Sequence, residues 1–243
     1  MRCARGGVRS PPNMTALKHC PCLIFNNDKT GDEAVVDFAE QHLKPFLHED
    51  LQRLGDIVRT IPNLPRPGID FRHVLGIAQH PGGLTLCTSL LQSHFTGTWS
   101  QIDTTVSHGI GGLVFASAPA SHVEILLVPI REAGKLPPPT ISVLKRSSYI
   151  SSLGRSGSEK REMIEMGRDA VGKEAKVVVV DDVLSTGETL CAVLQLLGEA
   201  GIPLENISVM LVAEFPVYRG RELLCRRGFA SVHVQSLLVF GGR

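Results

Sequence analysis

Hydrophobic and polar positions along this chain keep two periods, and the alternation between them predicts an α/β protein. Val35, Phe38, Ala39 and Leu43 suggest a first helix, and Pro45 then marks a break. Leu47, Leu51, Leu54 and Val58 recur at helical spacing, and a helix beginning near Pro81 carries Leu84, Cys87, Leu91 and Phe95 on one face. Gly112 to Ala116, Glu124 to Ile130 and Thr140 to Val143 read as short strands. Lys176 to Val180 is a strand of the fully apolar type found at the centre of a parallel sheet. The segment 187–200 follows as a helix, with Leu190, Val193, Leu194 and Leu197 on its apolar stripe. Ile207 to Ala213 and Val232 to Val239 complete the strands. Strand–helix alternation in this order argues for a mainly parallel sheet flanked by helices.

Two stretches interrupt the pattern. Ile61 to Gly68 holds three prolines and predicts an extended, ordered loop. Residues 145–168 are rich in serine and glycine and predict a polar, mobile segment. The first 27 residues carry Arg2, Arg5, Arg9 and Lys18 with no acid, as mitochondrial presequences do. Pro11, Pro12 and Pro21 oppose an amphipathic helix there, so residues 1–31 are expected to be a disordered tail and residues 32–243 the folded domain.

Composition narrows the function classes. A net charge of +1 in 243 residues gives no general attraction for nucleic acid or anionic membrane. Residues 32–60 hold seven acids against Lys44, Arg53 and Arg59, which disfavours an N-terminal DNA-binding unit. No apolar run reaches the roughly 18 residues of a membrane span. Cys3, Cys20, Cys22, Cys87, Cys191 and Cys225 form neither a paired metal spacing nor a disulfide framework, so reduced thiols in the cytoplasm are expected.

The chemistry concentrates after the apolar strand. Val177 to Val180 lead into Asp181 and Asp182, and Ser185, Thr186, Gly187, Glu188 and Thr189 then turn directly into a helix. Ligands of open α/β sheets bind at this end of the strands. Backbone N–H groups of such a turn and the helix N-terminus can hold a phosphate dianion, with hydroxyls from Ser185, Thr186 and Thr189. Acidic pairs at strand ends also occur in phosphoacceptor domains and metal-dependent phosphatases. Two acids beside a phosphate cradle are reconciled by a phosphorylated sugar, whose phosphate takes the turn while its hydroxyls face the carboxylates.

This segment resembles the phosphoribosyl pyrophosphate (PRPP) motif of type I phosphoribosyltransferases, and the chain from about residue 50 to 240 is similar to the adenine phosphoribosyltransferases. Ile61 to Arg72 matches that family's IPDFPTPGxxFRD segment, Gly134 to Pro137 its GKLP, Asp169 to Val171 its DAI, Glu214 with Arg219 to Glu222 its VEL…KGRE and Ser236 to Leu238 its SLL. The resemblance implies the type I core with a small hood formed by N-terminal and C-terminal segments. It implies transfer of ribose 5-phosphate from PRPP to adenine, giving AMP and pyrophosphate in purine salvage, with Mg²⁺ held mainly by substrate oxygens, and a homodimer. By family position Asp181 and Asp182 contact the ribose, and Val183, Leu184, Ser185, Thr186, Gly187, Glu188 and Thr189 hold the 5′-phosphate. Phe71 stacks on the base, with Leu238 or its neighbour on the other side and Arg72 fixing the segment. Arg131, Lys135 and Gly111 are placed at the pyrophosphate, and Glu159 near the expected general acid–base position.

The departures fall on the other loops. The family's GLDSRGFLFG becomes Ser107 to Ala116, with Gly109 and Gly111 in place of the acid and the arginine and His108 as a further proton or charge source. In the family's RKxGKLP a lysine has become Glu132, while the lid between Ser147 and Arg168 has no Glu-Tyr-Gly. Glu188 occupies the variable position of the phosphate turn, so its carboxylate must point away from the phosphate. An enzyme of the same fold with a different acceptor base, or a non-catalytic PRPP-binding regulator, therefore stays open beside the adenine enzyme.

Overall fold

The computed structural model describes residues 44–64, 67–146 and 162–241. The expected tail, the helix at Val35 to Leu43 and Glu159 lie outside them. The compact unit that carries the sheet starts at Glu49.

Helix α1 (Lys44–Ile57) turns Leu54 into the core, and Val58 just beyond its end is buried too, as the periodicity predicts. A two-residue strand β1 (Thr60–Ile61) pairs antiparallel with β2 (Phe71–Arg72), closing the proline-rich loop into a small ribbon. Asn63, at φ +58°, accepts a hydrogen bond from the Gly68 N–H at 2.9 Å and pins the loop. Helices α2 (Gly76–Gln79) and α3 (Gly83–His94) follow, and α3 buries Cys87, Leu90 and Leu91.

The remaining strands are β3 (Thr104–His108), β4 (Leu126–Glu132), β5 (Thr140–Lys145), β6 (Glu162–Gly167), β7 (Val177–Leu184), β8 (Ile207–Glu214) and β9 (His233–Val239). They form one seven-stranded sheet in the order β5-β6-β4-β3-β7-β8-β9. Along that order the pairings from β4 to β9 are parallel, while β6 pairs antiparallel with both β4 and β5. Helix α4 (Gly109–His122) joins β3 to β4, α5 (Glu188–Glu199) joins β7 to β8, and α6 (Gly220–Arg226) joins β8 to β9. One core layer packs Leu54, Leu91 and Phe115 against Val178, Val180 and Met210; the other packs Leu190, Leu194 and Leu197 against Val177, Val179 and Val209. Alternate β7 residues thus face opposite helical layers, which is why the strand reads as a continuous apolar run.

Four expectations need correction. Gly112 to Ala116 is part of helix α4, whose buried residues Gly112, Phe115, Ala116, Pro119 and Ala120 keep helical spacing that the glycines obscure. Strand β3 escaped the apolar-run criterion because Thr104, Thr105 and Ser107 are polar, yet all three are buried. β-branched threonine fits a pleated strand well. Within the supposedly mobile 145–168, Glu162 to Gly167 is a strand with Ile164 and Met166 fully buried. Finally, β7 continues past Val180 to Leu184, because its pairing with β8 persists through Asp181↔Leu211, Val183↔Ala213 and Leu184↔Glu214.

Candidate active site

The strand order reverses between β3 and β7. From β3 the chain crosses to β4 on one side, and from β7 it runs to β8 and β9 on the other. Such a switch point leaves a crevice at the carboxyl ends of the two strands. A cavity of about 440 Å³ lies there, lined by His108 at the end of β3, by Gly109 and Gly111 at the start of α4, by Asp181, Asp182 and Val183 in the last turn-ward residues of β7, and by Ser185 and Thr189 where the chain passes into α5. Its roof comes from the ribbon, with Leu64, Ile69, Asp70, Phe71 and Arg72, and from Phe215 and Tyr218 after β8. Both α4 and α5 begin at this cavity, so two helix N-termini converge on it, which favours a ligand with two anionic groups.

Residues 73–222 match the family described as "Phosphoribosyl transferase domain". The chain belongs to this phosphoribosyltransferase family. It is 35% identical over 179 residues to the adenine phosphoribosyltransferase of Roseiflexus castenholzii, covering 74% of this chain and 96% of that protein. The Cricetulus griseus adenine phosphoribosyltransferase is 33% identical over 176 residues, 72% of this chain and 91% of that one. Among solved structures, the Giardia lamblia enzyme complexed with 9-deazaadenine superposes with a TM-score of 0.68 at 26% identity, covering 79% of this chain and 98% of that one.

The phosphoribosyltransferase floor is the acid pair. Asp181 is only 7% exposed, and its Oδ1 accepts the Asp182 N–H at 2.9 Å. Burial raises the Asp181 pKa well above the usual carboxylate range, and the neighbouring Asp182 charge raises it further. Burial raises Asp182 as well, opposed by its hydrogen bonds with Asp181 and the backbone. The pair therefore retains a proton more readily than two exposed acids do.

The phosphate turn is backbone-packed. Gly187, at φ +84°, takes the left-handed conformation that side chains disfavour, and a Cβ there would lie 2.9 Å from the Gly220 carbonyl oxygen. A Cβ on Gly220 would in turn meet the Ser185 carbonyl oxygen and the Leu184 side chain. Arg221 braces this contact from behind: Nε and Nη2 each donate to the Glu214 carboxylate at 2.7 Å, and Ser236 Oγ donates to it at 2.6 Å. Burial would raise Glu214, but the Arg221 and Ser236 hydrogen bonds bring it below its ordinary value. In the sequence Glu214 and Arg219 to Glu222 stand out only as family matches; the Arg221–Glu214 contact is the physical reason behind them.

Ser185, Thr189 and Val183 line the cavity, Thr186 is buried beside it, and Leu184 points into the core. Glu188 lines a separate cavity on the outer side of the turn, with its carboxylate 3.7 Å from Arg227, in keeping with the requirement that it face away.

Past His108, the β3–α4 turn offers the cavity only glycines. A Cβ on Gly111 would run into the Asp182 carboxylate, and one on Gly112 would come within 3.0 Å of Asp181 Oδ1. The glycines are therefore imposed by the acids beneath them. His108, just before α4, is pushed down to about 4 by burial, then by the positive charge of Lys145, so of the two roles expected from sequence, proton source or charge, a standing charge at neutral pH is the one the site disfavours. Arg131 and Lys135 are exposed and do not line the cavity. The Lys135 and Leu136 N–H groups instead each donate to Glu165 at 3.0 Å, and Thr140 Oγ1 donates at 3.2 Å. Burial alone would raise Glu165; these donors hold its pKa below the ordinary value. Sequence reasoning misses this buried acid, which organises the Gly134 to Pro137 loop.

Phe71 is 40% exposed at the roof, and the Arg72 guanidinium carbon sits 4.9 Å from the centroid of Phe240, which stacks on Phe215 at 5.5 Å. Arg72 thus ties the ribbon to the C-terminal segment. Leu238 is not brought to the cavity: it is 8% exposed and packs in the core, and Phe215 and Tyr218 stand on the roof instead.

Among the described residues no group of three or more His, Cys, Asp and Glu side chains is placed to hold a metal ion, and no helix is long and apolar enough to cross a membrane. The hard carboxylate oxygens of Asp181 and Asp182 suit Mg²⁺ only as an ion that brings most of its ligands from a substrate or water.

Proposed function

We propose that this chain is an adenine phosphoribosyltransferase, which transfers ribose 5-phosphate from PRPP to adenine and releases pyrophosphate. The observation that carries the reading is the switch-point cavity itself, with a buried acid pair as floor and two helix N-termini at its ends. Relatives at 30% identity or more that bear this name support the choice of adenine.

In this reading the N–H groups of Ser185 to Thr189 bind the 5′-phosphate, while Val183 and Leu184 carry the turn. Asp181 and Asp182 accept ribose hydroxyls, and their negative charge strengthens that contact as the C1 carbon becomes cation-like in the transition state. Phe71 supplies the flat platform for the base, closed by Arg72 behind it. The α4 N-terminus, including Gly111, meets the pyrophosphate, and Arg131 of β4 and Lys135 of the β4–β5 loop, both outside the cavity walls, are kept as its more distant basic charges. Glu159 is kept as the acid–base group for the base nitrogen. Asp181 and Asp182 are the residues that would meet a Mg²⁺ ion carried in by PRPP, and the ion would supply charge compensation for the departing pyrophosphate. We further propose a homodimer acting in the cytoplasm; Ile110, 78% exposed, and Leu113, one turn on, give α4 an apolar outer edge that a second copy would cover.

Purified protein incubated with PRPP, Mg²⁺ and each base in turn should form AMP with adenine only. A different nucleotide would move the reading to another acceptor. The neutral His108 and the glycine-lined α4 turn favour a second reading, a PRPP-binding regulator, and PRPP binding without any product would select it.

A further inference from the structure

Glu188 is an unfavourable residue at the first position of α5, one step from the turn that binds the phosphate in the proposed function. A carboxylate there gains from the helix dipole by itself, but a phosphate dianion at the same N-terminus would repel it. Its side chain lines a cavity of about 380 Å³ between α5, β5 and the end of α6, together with Arg146, Cys191, Arg227 and Phe229. It does not line the 440 Å³ cavity, whereas Ser185 and Thr189 do. Arg227, the residue that caps α6 just past its end at Arg226, stands by the carboxylate on this outer side at 3.7 Å.

The pair is a poor candidate for a stability element. Its separation exceeds hydrogen-bond length, and the two side chains, Arg227 and Glu188, are 35% and 20% exposed. Partly solvated pairs of this kind contribute little to folding. Its position offers a different role, since α6 carries both Gly220, which packs against Gly187, and the helix end that presents Arg227.

We infer that Arg227 is a positioning residue for PRPP binding, which keeps the Glu188 carboxylate turned away from the 5′-phosphate and neutralises it there. This rests on the PRPP reading above. Without Arg227 the carboxylate is free to rotate toward the turn, and one added negative charge at roughly 8 Å from a dianion in partly solvated surroundings weakens binding about tenfold. The effect belongs to substrate binding, so KM for PRPP rises while kcat holds.

The test is PRPP affinity by calorimetry on the full chain with Mg²⁺, alongside KM and kcat. Arg227→Gln is expected to raise the PRPP Kd about tenfold at low ionic strength, with the loss shrinking in high salt. Arg227→Lys, which keeps the charge, should stay within about threefold of the parent protein. The double variant Glu188→Gln/Arg227→Gln should recover to within about twofold, a rescue that a merely structural role for Arg227 would not give. Glu188→Gln alone should bind PRPP as well as the parent or better, and it tests the same charge if Arg227→Gln folds poorly. An unchanged Kd in Arg227→Gln, a loss that persists in the double variant, or weaker binding by Glu188→Gln would overturn the inference. Failure of the parent protein to bind PRPP would overturn the functional reading, and this inference with it.

Discussion

Two turns meet at the cavity, and they are built in opposite ways. The β7–α5 turn is held from outside: Gly187 packs on Gly220, Arg221 locks Glu214, and the Phe215 N–H donates to the Leu184 carbonyl at 2.9 Å. The β3–α4 turn is held from inside, by the acids pressing on Gly111 and Gly112, and its Gly109 has open space around it. One turn is a braced receptor and the other a bare edge of helix. In the proposed function the scaffold would define the ribose 5-phosphate end of the ligand, while the leaving-group end would rely on backbone N–H groups and on charges outside the cavity.

The sharpest way to break this contrast is to remove charge from the floor that both turns share. Asp181→Asn with Asp182→Asn should lower kcat/KM for PRPP by about 100-fold or more. Asp181→Asn alone, measured without substrate, should raise Tm. Its folded pKa lies above the unfolded value, so the native chain binds more protons and loses stability as pH rises through that interval. Asparagine removes the penalty, and a lower Tm at neutral pH would refute a floor strained by its own charge.

Glycine substitutions come next in size. Gly220→Ala should cost about 2–4 kcal/mol and raise KM for PRPP, because its Cβ has backbone and Leu184 to displace. Gly109→Ala, at φ +66° with nothing within 4 Å, should cost only about 1 kcal/mol. Equal losses in chemical denaturation would erase the distinction between the braced and the bare turn.

The acid response of the brace falls between the two glycine effects. Glu214 has a folded pKa below its ordinary value, so its contribution is present above the unfolded pKa and disappears as pH falls through the folded one. Glu214→Gln should be less stable than the parent at neutral pH by about 1–2 kcal/mol, with the gap narrowing as acid titrates the carboxylate. A gap independent of pH would mean that packing, not charge, holds the turn.

Much of this is legible from residue order. Val177 to Thr189 announce both the central strand and the phosphate turn, because a long apolar run, two acids and a hydroxyl-rich turn leave few other arrangements. Strand β3 is hidden by its buried threonines and serine, since periodicity counts carbon and not burial. Residues whose importance lies in a partner far along the chain are equally hidden. Glu165 reads as one acid among many until Lys135, Leu136 and Thr140 fold over it, and Glu188 shows its partner only when α6 brings Arg227 alongside.

The acids of β7 stand inside a hydrogen-bonded ladder that continues past them to Leu184, not on a loop. That makes the acid floor, which would carry the ribose in the proposed function, a fixed tile of the sheet, and the ribbon with its aromatic partners a separate ceiling. Exchanging residues 64–75 and 215–218 for those of another enzyme should therefore change which base is accepted while leaving the sugar-phosphate grip untouched. The division lets the two halves of the ligand be redesigned independently.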